Sequence, residues 1–334
     1  QTNTEGGVPF YKIGTIGGKA DAYISKDLFN EYKRKYSYPN KGEVMITCAG
    51  TVGKCVIYDG EDSYYQDSNI VWIDNPNEII SNDFLYHLLS NINWSYLNST
   101  TIVRIYNDDL RNLKLCCPRL DEQKKIANFL SLIDERIAAQ NKIIEKLETL
   151  IKGIRHNIFK QLRKDVGFNA TIGNILSFEQ PQRYIVSSAE YSSDCTFTPV
   201  LTANKAFILG YTTETDGIYS KGDCIIIDDF TLDCKYVSFP FKVKSSAIKI
   251  LTAKNKYILR YTYEYLKSLE LSTEEHKRHY IAEVQPHSCV LPDENTLKTI
   301  AMVFENLACK LADEQSLVLI LNKQKQYLLS KMFI

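Results

Sequence analysis

Three short segments carry residue types that enzymes use for catalysis or for binding cofactors. The turn Gly50-Thr51-Val52-Gly53-Lys54 resembles a phosphate-binding loop, but such a loop needs four residues between its glycines and Ser or Thr after the lysine. The segment Asn75-Pro76-Asn77 lacks the second proline of an Asn-Pro-Pro-aromatic amino-methyltransferase motif. His276 and His279 have the spacing of a metal-binding pair, without a third ligand nearby. We therefore predict no catalytic, cofactor or metal site on this chain.

The composition indicates a soluble, globular, cytoplasmic protein. Of the 334 residues, 44% are hydrophobic and 24% are charged, which excludes a disordered chain. No apolar run approaches the ~20 residues that a membrane-spanning helix needs. The nine cysteines contain no Cys-x-x-Cys pair, so reduced thiols are favoured over a zinc site or a disulfide framework.

The chain contains an internal sequence repeat, and this repeat predicts the structural elements that would position a site. At an offset of 174 residues, Ile126-Ala127 aligns with Ile300-Ala301, and Leu147 aligns with Leu321. The alignment needs no gap over about forty residues, and a repeat of this kind predicts two copies of one structural unit.

Each aligned segment carries a heptad pattern, whose steps of three and four residues keep one helix face toward a partner helix. Gln140 and Glu314 place a polar residue at the same step, which costs stability but can fix register. Lys325 interrupts the second pattern. Two ordinary amphipathic core helices are the alternative. The apolar positions are Ile126, Leu130, Ile133, Ile137, Ile144, Leu147, Ile151, Ile154 and Ile158 in the first copy, and Ile300, Phe304, Leu307, Leu311, Val318, Leu321, Leu328 and Met332 in the second.

A β-rich segment precedes each predicted long helix. In the first copy, strands are predicted over 43–48, 54–58 and 69–73, with a short helix over 83–89. In the second copy, strands over 224–227 and 247–251 and a helix over 257–269 follow the same layout. Residues 171–193 have no counterpart in the first copy, and we expect the first domain to be incomplete at its start.

Taken together, these features resemble the specificity subunit of type I restriction–modification systems. The most specific part is a proline followed by Asp121-Glu122-Gln123-Lys124-Lys125-Ile126-Ala127, which runs into the heptad helix. The resemblance implies an α+β fold with two β-rich target-recognition domains and two long helices that form an antiparallel coiled coil. The implied boundaries are 1–118 and 166–292 for the recognition domains, and 119–165 and 293–334 for the spacer helices.

The resemblance also implies function and partners. Such a subunit reads a split, asymmetric site on double-stranded DNA and has no catalytic activity of its own. Methyltransferase subunits with S-adenosylmethionine, and endonuclease subunits that use ATP and Mg, would join it. The chain has 40 basic and 40 acidic residues, whereas a protein that binds DNA alone usually has a basic excess. Partners that share the duplex would account for this balance.

If the resemblance holds, residues that hydrogen-bond base edges or phosphates should lie in the loops of the two domains. Lys277 and Arg278 lie in a charged segment that is either plainly solvated or faces a phosphate. The candidates for DNA contact in the first domain are Thr47, Gly50, Thr51, Lys54, Gln66, Asn69, Thr100, Thr101 and Arg104. Those in the second domain are Gln182, Arg183, Tyr184, Thr202, Asn204, Lys205, Tyr211, Thr212, Phe230, Thr231, Lys235, Lys244 and Arg278.

Two alternatives to this function remain open. One is the recognition subunit of a related system, in which a single partner chain carries both methylation and cleavage. The other is a coiled-coil scaffold with β-rich end domains and no selective affinity for DNA.

Overall fold

The computed structural model describes residues 2–65, 69–76, 79–94, 104–115, 117–203, 206–271, 273 and 277–332. The chain divides into two units, Gln1–Asn141 with Leu317–Ile334 and Lys142–Ser316. Each unit holds one β-rich segment and a part of each of two long helices. None of the described helices is long and apolar enough to cross a membrane.

The β-rich segment of the first unit contains six strands and three short α-helices within the described ranges. In chain order these are β1 (Val8–Tyr11), β2 (Ala22–Ile24), α1 (Lys26–Lys35), β3 (Val44–Thr47), β4 (Cys55–Ile57), β5 (Tyr64–Tyr65), β6 (Ile70–Ile73), α2 (Asn82–Asn91) and α3 (Asn107–Arg111). Strand β1 lies between β2 and β5 in one sheet, and β3 lies between β4 and β6 in another. The predicted strands β3, β4 and β6 and the predicted helix α2 are confirmed.

Strand β3 is buried over its whole length because both of its faces are covered. Val44 and Ile46 belong to an apolar cluster that includes residues of α2. Met45, on the other face, packs in a second cluster with Tyr58 and Tyr65. A continuous apolar run is typical of a strand that is covered on both faces.

The long helix α4 (Leu120–Asp165) begins against α2. The side chain of Gln123 accepts a hydrogen bond from the Ser81 N–H at 2.8 Å and donates to the Pro118 carbonyl at 2.9 Å. Ser81 is also the N-cap of α2, so one residue links the starts of both helices. Farther along, His87 Nε2 lies 3.1 Å from the Ser131 hydroxyl.

The second unit repeats this layout with additional strands. Its elements are β7 (Ala170–Thr171), α5 (Ile172–Ile175), β8 (Leu176–Glu179), β9 (Thr198–Leu201), β10 (Ile208–Thr212), β11 (Cys224–Asp228), β12 (Cys234–Val237), β13 (Lys242–Val243), β14 (Ile248–Ala253), α6 (Lys256–Ser268) and β15 (Ser288–Cys289). The long helix α7 (Glu294–Met332) begins in this unit and ends in the first. A 3₁₀ turn covers Pro181–Tyr184, and a π-helix covers Tyr280–Val284. The three sheets have the orders β12-β11-β14-β8, β10-β9-β13 and β15-β7.

The sheets of the two units correspond strand by strand. Strand β1 pairs with β2 antiparallel and with β5 parallel, and β9 pairs with β10 antiparallel and with β13 parallel. Strands β4-β3-β6 match β12-β11-β14 in the same way. Strand β8 adds a fourth member beside β14 and has no equivalent beside β6 among the described residues. It lies within residues 171–193, the segment for which the sequence shows no counterpart.

The two long helices are antiparallel. In the second unit, the Phe159 ring stacks on the Phe304 ring with centroids 6.5 Å apart. In the first unit, the Lys325 ammonium donates to both carboxylate oxygens of Asp134 at 2.5 and 2.7 Å. An earlier residue of α4 thus pairs with a later residue of α7, which confirms the predicted antiparallel pair. The lysine that interrupts the apolar pattern is satisfied by a carboxylate on the facing helix.

Candidate nucleic-acid interface

In the first unit, the loop that connects β3 and β4 has a conformation that is fixed by hydrogen bonds of a buried side chain. Thr47 is fully buried, and its Oγ1 accepts a hydrogen bond from the Lys54 N–H at 3.0 Å and donates to the Thr51 carbonyl. Gly53 adopts a φ of +83°, and a Cβ on it would lie 2.1 Å from the Trp94 ring. Gly50 and Thr51 remain exposed at the tip. The loop therefore presents a fixed backbone to solvent.

Other candidates surround this first hairpin tip. The Cys48 N–H donates to the Asn69 carbonyl at 2.8 Å, and the Ile105 N–H donates to the Cys48 carbonyl at 2.9 Å. Arg104 is thereby placed beside the tip. Burial raises the pKa of the Cys48 thiol, and the positive charge of Arg104 opposes that shift. Three segments that are distant in sequence meet at one end of the sheet.

Lys54 is exposed beside this tip but is not unpaired. Its ammonium donates to the Ile16 carbonyl, which lies in the segment after β1. A lysine has three N–H donors, so one such bond leaves two for a phosphate.

In the second unit, the β11–β12 hairpin occupies the same place. The Asp228 carboxylate accepts hydrogen bonds from the N–H groups of Phe230 and Thr231, both at 2.9 Å. Leu232 adopts a φ of +61°, which is costly for a branched residue, and its side chain is buried in the core. Phe230 and Thr231 point outward as a result, with Phe230 37% exposed.

A buried ion pair supports this second hairpin tip from beneath. The Lys249 ammonium lies 3.0 Å from the Asp229 carboxylate, and both side chains are at most 2% exposed. Lys249 also donates to the Gln180 side-chain oxygen at 2.9 Å, and Asp229 accepts from the Tyr280 N–H at 2.9 Å. A buried charge pair of this kind is tolerated only when further hydrogen bonds satisfy both groups. The pair fixes the hairpin tip against β14 and the π-helix.

Basic and polar side chains border the second tip. The Arg278 guanidinium lies 6.0 Å from the centre of the Phe230 ring and 3.4 Å from the Ser246 hydroxyl. The Lys244 N–H donates to the Leu201 carbonyl at 3.1 Å, which places exposed Lys244 next to the end of β9 and Thr202. These groups can contact phosphates and base edges.

The two tips have matching backbone connections. The first residue after β3 is Cys48, whose N–H donates to Asn69; the first residue after β11 is Asp229, whose N–H donates to the Ala247 carbonyl at 2.7 Å. The loops that follow differ in length and sequence, since residues 48–54 separate β3 from β4 whereas residues 229–233 separate β11 from β12. The repeat thus presents different side chains on the same hairpin.

Comparisons with known proteins agree with this architecture. Residues 1–149 match the family model described as the type I restriction modification DNA specificity domain. The resemblance of the chain to type I specificity subunits is thereby confirmed.

Two relatives with curated names are specificity subunits. The chain is 49% identical over 152 residues to a putative type I restriction enzyme specificity subunit of Haemophilus influenzae, over 46% of the chain and 39% of that relative. It is 44% identical over 141 residues to a type I restriction enzyme specificity subunit of Escherichia coli, over 40% of the chain and 35% of that relative. The chain thus spans well under half of the length of either relative in these alignments.

A solved structure extends the similarity of fold to nearly all of the chain. The S subunit of a type I restriction–modification system from M. genitalium has a TM-score of 0.66 and a sequence identity of 19%, and the match covers 99% of this chain and 90% of that one. The shared fold is therefore that of an S subunit.

Three of the residues predicted to contact DNA in this specificity-subunit fold are instead buried. Thr47 shapes its own loop, and Tyr184 donates its hydroxyl to Glu179 at 2.8 Å. Thr212 is 7% exposed, and its hydroxyl accepts from the Glu214 N–H at 3.2 Å. Their side chains form hydrogen bonds within the fold, and direct contact with DNA stays a prediction for these three residues.

The remaining candidates divide by position. Tyr211 lies on β10 near the end that pairs with Thr198, at the opposite end of the β9–β10 pair from Leu201. Lys235 lies on edge strand β12, opposite Ile226. Gln182 and Arg183 are exposed on the 3₁₀ turn that follows Gln180. Gln66, Thr100, Thr101, Asn204 and Lys205 lie outside the described residues.

Of the two histidines that have the spacing of a metal-binding pair, one lies within the described residues. His276 lies outside the described residues. His279 is buried, with Nδ1 2.8 Å from Glu283 and Nε2 3.0 Å from the Thr273 hydroxyl. Its ring helps to anchor the π-helix.

Sequence reasoning missed two residues that shape the second tip, Lys249 and Ser246. Lys249 had a detectable signal, since a lysine inside the apolar strand Ile248–Ala253 must find a buried partner. Ser246 had no such signal because its role depends on Arg278, which is 32 residues away.

Proposed function

We propose that this chain is the DNA-sequence-recognition subunit of a type I restriction–modification complex and reads a bipartite, asymmetric site. The observation that carries the proposal is the repeated hairpin. Two β-rich segments present tips with the same backbone connections and different side chains, as two readers of different half-sites would. Residues 1–118 and 166–292 would be the two recognition domains, and 119–165 and 293–334 the spacer helices.

The exposed side chains at the two hairpin tips suit contacts with different bases. In the first domain, exposed Thr51, the Gly50 backbone, Lys54 and Asn69 offer small polar contacts to base edges and phosphates. In the second, Phe230 adds an apolar group, which can contact a thymine methyl or wedge against a base step. The hairpin tips would select sequence, and the basic residues around them would hold the duplex.

The chain would act with partners and have no catalytic role. Methyltransferase subunits with bound S-adenosylmethionine and endonuclease subunits that use ATP and Mg would supply the chemistry in the cytoplasm. Several large apolar side chains on the long helices are exposed, and a surface of this kind favours protein partners. They are Phe129, Leu132, Ile143 and Leu150 on α4, and Met302, Val303, Leu319, Ile320 and Tyr327 on α7.

The decisive experiment is to express the chain with its neighbouring methyltransferase and to map methylated positions in host DNA by single-molecule sequencing. We expect one split motif with a fixed gap. Replacing residues 171–291 with the same region of another specificity subunit should change one half of the motif and leave the other half unchanged.

Two outcomes would count against the proposal. A complex that assembles but leaves no methylated motif would favour the coiled-coil scaffold. A replacement that alters both halves together would contradict independent reading by the two domains. Methylation and cleavage by one partner chain would instead indicate the related system in which those activities are fused.

A further inference from the structure

One residue is the same in both units at a point where the surrounding loops differ. Arg104 and Arg278 are separated by 174 residues, which is the offset that aligns the two long helices. In each unit the residue after the arginine donates its N–H to the carbonyl of the first residue beyond the central strand. The donors are Ile105 to Cys48 and His279 to Asp229, both at 2.9 Å.

Because of this backbone hydrogen bond, the main chain of each arginine lies at the same position relative to its hairpin. Cys48 follows β3 and Asp229 follows β11, so each arginine begins at the base of a candidate reading loop. The equivalence does not depend on the side chains, because it is defined by hydrogen bonds of the main chain.

The Arg278 side chain is suited to an anionic ligand. It is 52% exposed, and its guanidinium lies 3.9 Å from Asp229. That carboxylate is already paired with Lys249 at 3.0 Å, so it faces two cations. The nearby Asp228 carboxylate is turned into the loop, where it accepts the N–H groups of Phe230 and Thr231. The guanidinium keeps an exposed edge beside Ser246.

Arg104 shares the aromatic neighbour. Its guanidinium lies 5.8 Å from the centre of the Tyr106 ring, and Tyr106 is 58% exposed. Arg278 lies at a similar distance from Phe230. A guanidinium beside an aromatic ring keeps its fork of N–H donors in a restricted orientation, which favours bidentate contact with a planar or tetrahedral anion.

A residue that stays the same while the adjacent loops differ is expected to contact something that both half-sites share. The sequence of bases differs between the halves of an asymmetric site, but the phosphate backbone does not. Arginine forms two parallel hydrogen bonds with a phosphate, and such contacts fix register without reading sequence.

We infer that Arg104 and Arg278 are equivalent phosphate-binding residues, one in each recognition domain, which supply affinity that is independent of sequence. The inference rests on the proposed function and assigns separate roles to the loop and the arginine at each tip. The hairpin loop selects the bases, and the arginine at its base holds the backbone.

The test compares Arg104→Ala, Arg278→Ala and the double variant, each in the assembled complex with the methyltransferase. Affinity is measured for a duplex with the mapped site and for a scrambled duplex over a series of salt concentrations. Each single variant should weaken binding to both duplexes by about tenfold, as expected for the loss of a charge-assisted contact of ~1.4 kcal/mol. The plot of log K against log salt should become less steep by about 0.9 per arginine lost.

Lys254→Ala is the matched control for charge. Lys254 is exposed and follows Ala253, the last residue of β14, whereas Ile248 at the other end of that strand pairs with Asp228 at the tip. The control should leave affinity and salt dependence unchanged. Arg104→Lys and Arg278→Lys should restore most of the salt dependence, because a lysine keeps the charge and loses only the bidentate geometry.

Two results would overturn the inference. One is a loss confined to the mapped site with an unchanged salt dependence, which would make the arginine a reader of bases. The other is unchanged affinity for both duplexes. A wild-type complex without any preference for a site would refute the proposed function instead, and the salt dependence on scrambled DNA would still decide the role of the arginines.

Discussion

The buried pair of Asp229 and Lys249 makes the sharpest prediction about stability. Lys249→Met keeps a long, unbranched side chain and removes the charge, which leaves the Asp229 carboxylate buried without its closest cation. Breaking a buried pair by removal of one partner costs ~3–5 kcal/mol. The Tyr280 N–H still donates to Asp229, and Arg278 lies 3.9 Å away, so we expect the lower end of that range.

A loss of ~3 kcal/mol corresponds to a fall in Tm of roughly 6–12 °C for a unit of this size, at ~2–4 °C per kcal/mol. Thermal unfolding followed by circular dichroism, together with urea titration, measures this loss. Lys254→Met is the control, because it makes the same change at an exposed position and should shift Tm by less than ~2 °C.

A double-mutant cycle separates the pair from its surroundings. Asp229→Asn keeps an acceptor for the Tyr280 N–H and removes the charge that Lys249 neutralises. The double variant Asp229→Asn with Lys249→Met should be less destabilised than the sum of the single variants by ~2 kcal/mol. Additive losses, or a Lys249→Met variant as stable as the control, would show that the pair does not hold the tip.

Three further outcomes are expected. Phe230→Ala should change which bases are accepted in one half-site while the salt dependence of binding stays the same; methylome mapping and binding titrations measure the two quantities. Gly53→Ala should destabilise the first unit by ~1–3 kcal/mol, because its Cβ would meet the Trp94 ring at a positive φ, and tryptophan fluorescence during urea unfolding reports the loss. Burial lowers the pKa of His87 below its usual value of 6.5, and the negative charge of Asp134 opposes that shift. Below pH 6.5 the folded chain therefore binds fewer protons at His87 than the unfolded chain does. Stability of the first unit should therefore fall as pH drops below about 6.5, by up to ~1.4 kcal/mol per pH unit, and His87→Gln should flatten that pH dependence in denaturant titrations.

Much of the fold follows from local patterns in the sequence. The heptad steps from Ile126 to Ile158 predict a long helix, and α4 spans Leu120–Asp165. The apolar run over 224–227 predicts a strand, and β11 spans Cys224–Asp228 with all of its residues buried. Such predictions succeed because periodic burial of side chains is determined within the segment itself.

The contacts that complete the fold depend on distant partners, which local patterns do not contain. Lys325 looks like a defect in the helix seam until Asp134, 191 residues earlier, is placed opposite it. Likewise, the parallel pairing of β1 with β5 joins segments separated by three strands and a helix. Sequence separation hides these contacts because many pairings satisfy the same apolar pattern.

The sequence indicates which loops could form the candidate site, but it does not indicate which of their side chains already form hydrogen bonds within the fold. Thr47, Tyr184 and Thr212 have polar groups that suit DNA contact, but each hydroxyl is used inside the fold. Residue type indicates what a side chain can bond, whereas only the structure shows which bond it already makes.

The first unit is made of two segments that are far apart in the chain, and this has a consequence for synthesis of the protein. Residues Gln1–Asn141 and Leu317–Ile334 belong to one unit, whereas Lys142–Ser316 forms the other from a single continuous segment. A ribosome releases the complete second unit before it releases the last helical residues that the first unit needs, including Lys325. Of the two units, the one whose translation starts earlier is therefore completed later, and it must persist without the α7 contacts while the other unit emerges. Shortening α7 from its C-terminal end would accordingly destabilise the unit whose translation starts earlier and leave the continuous segment largely intact.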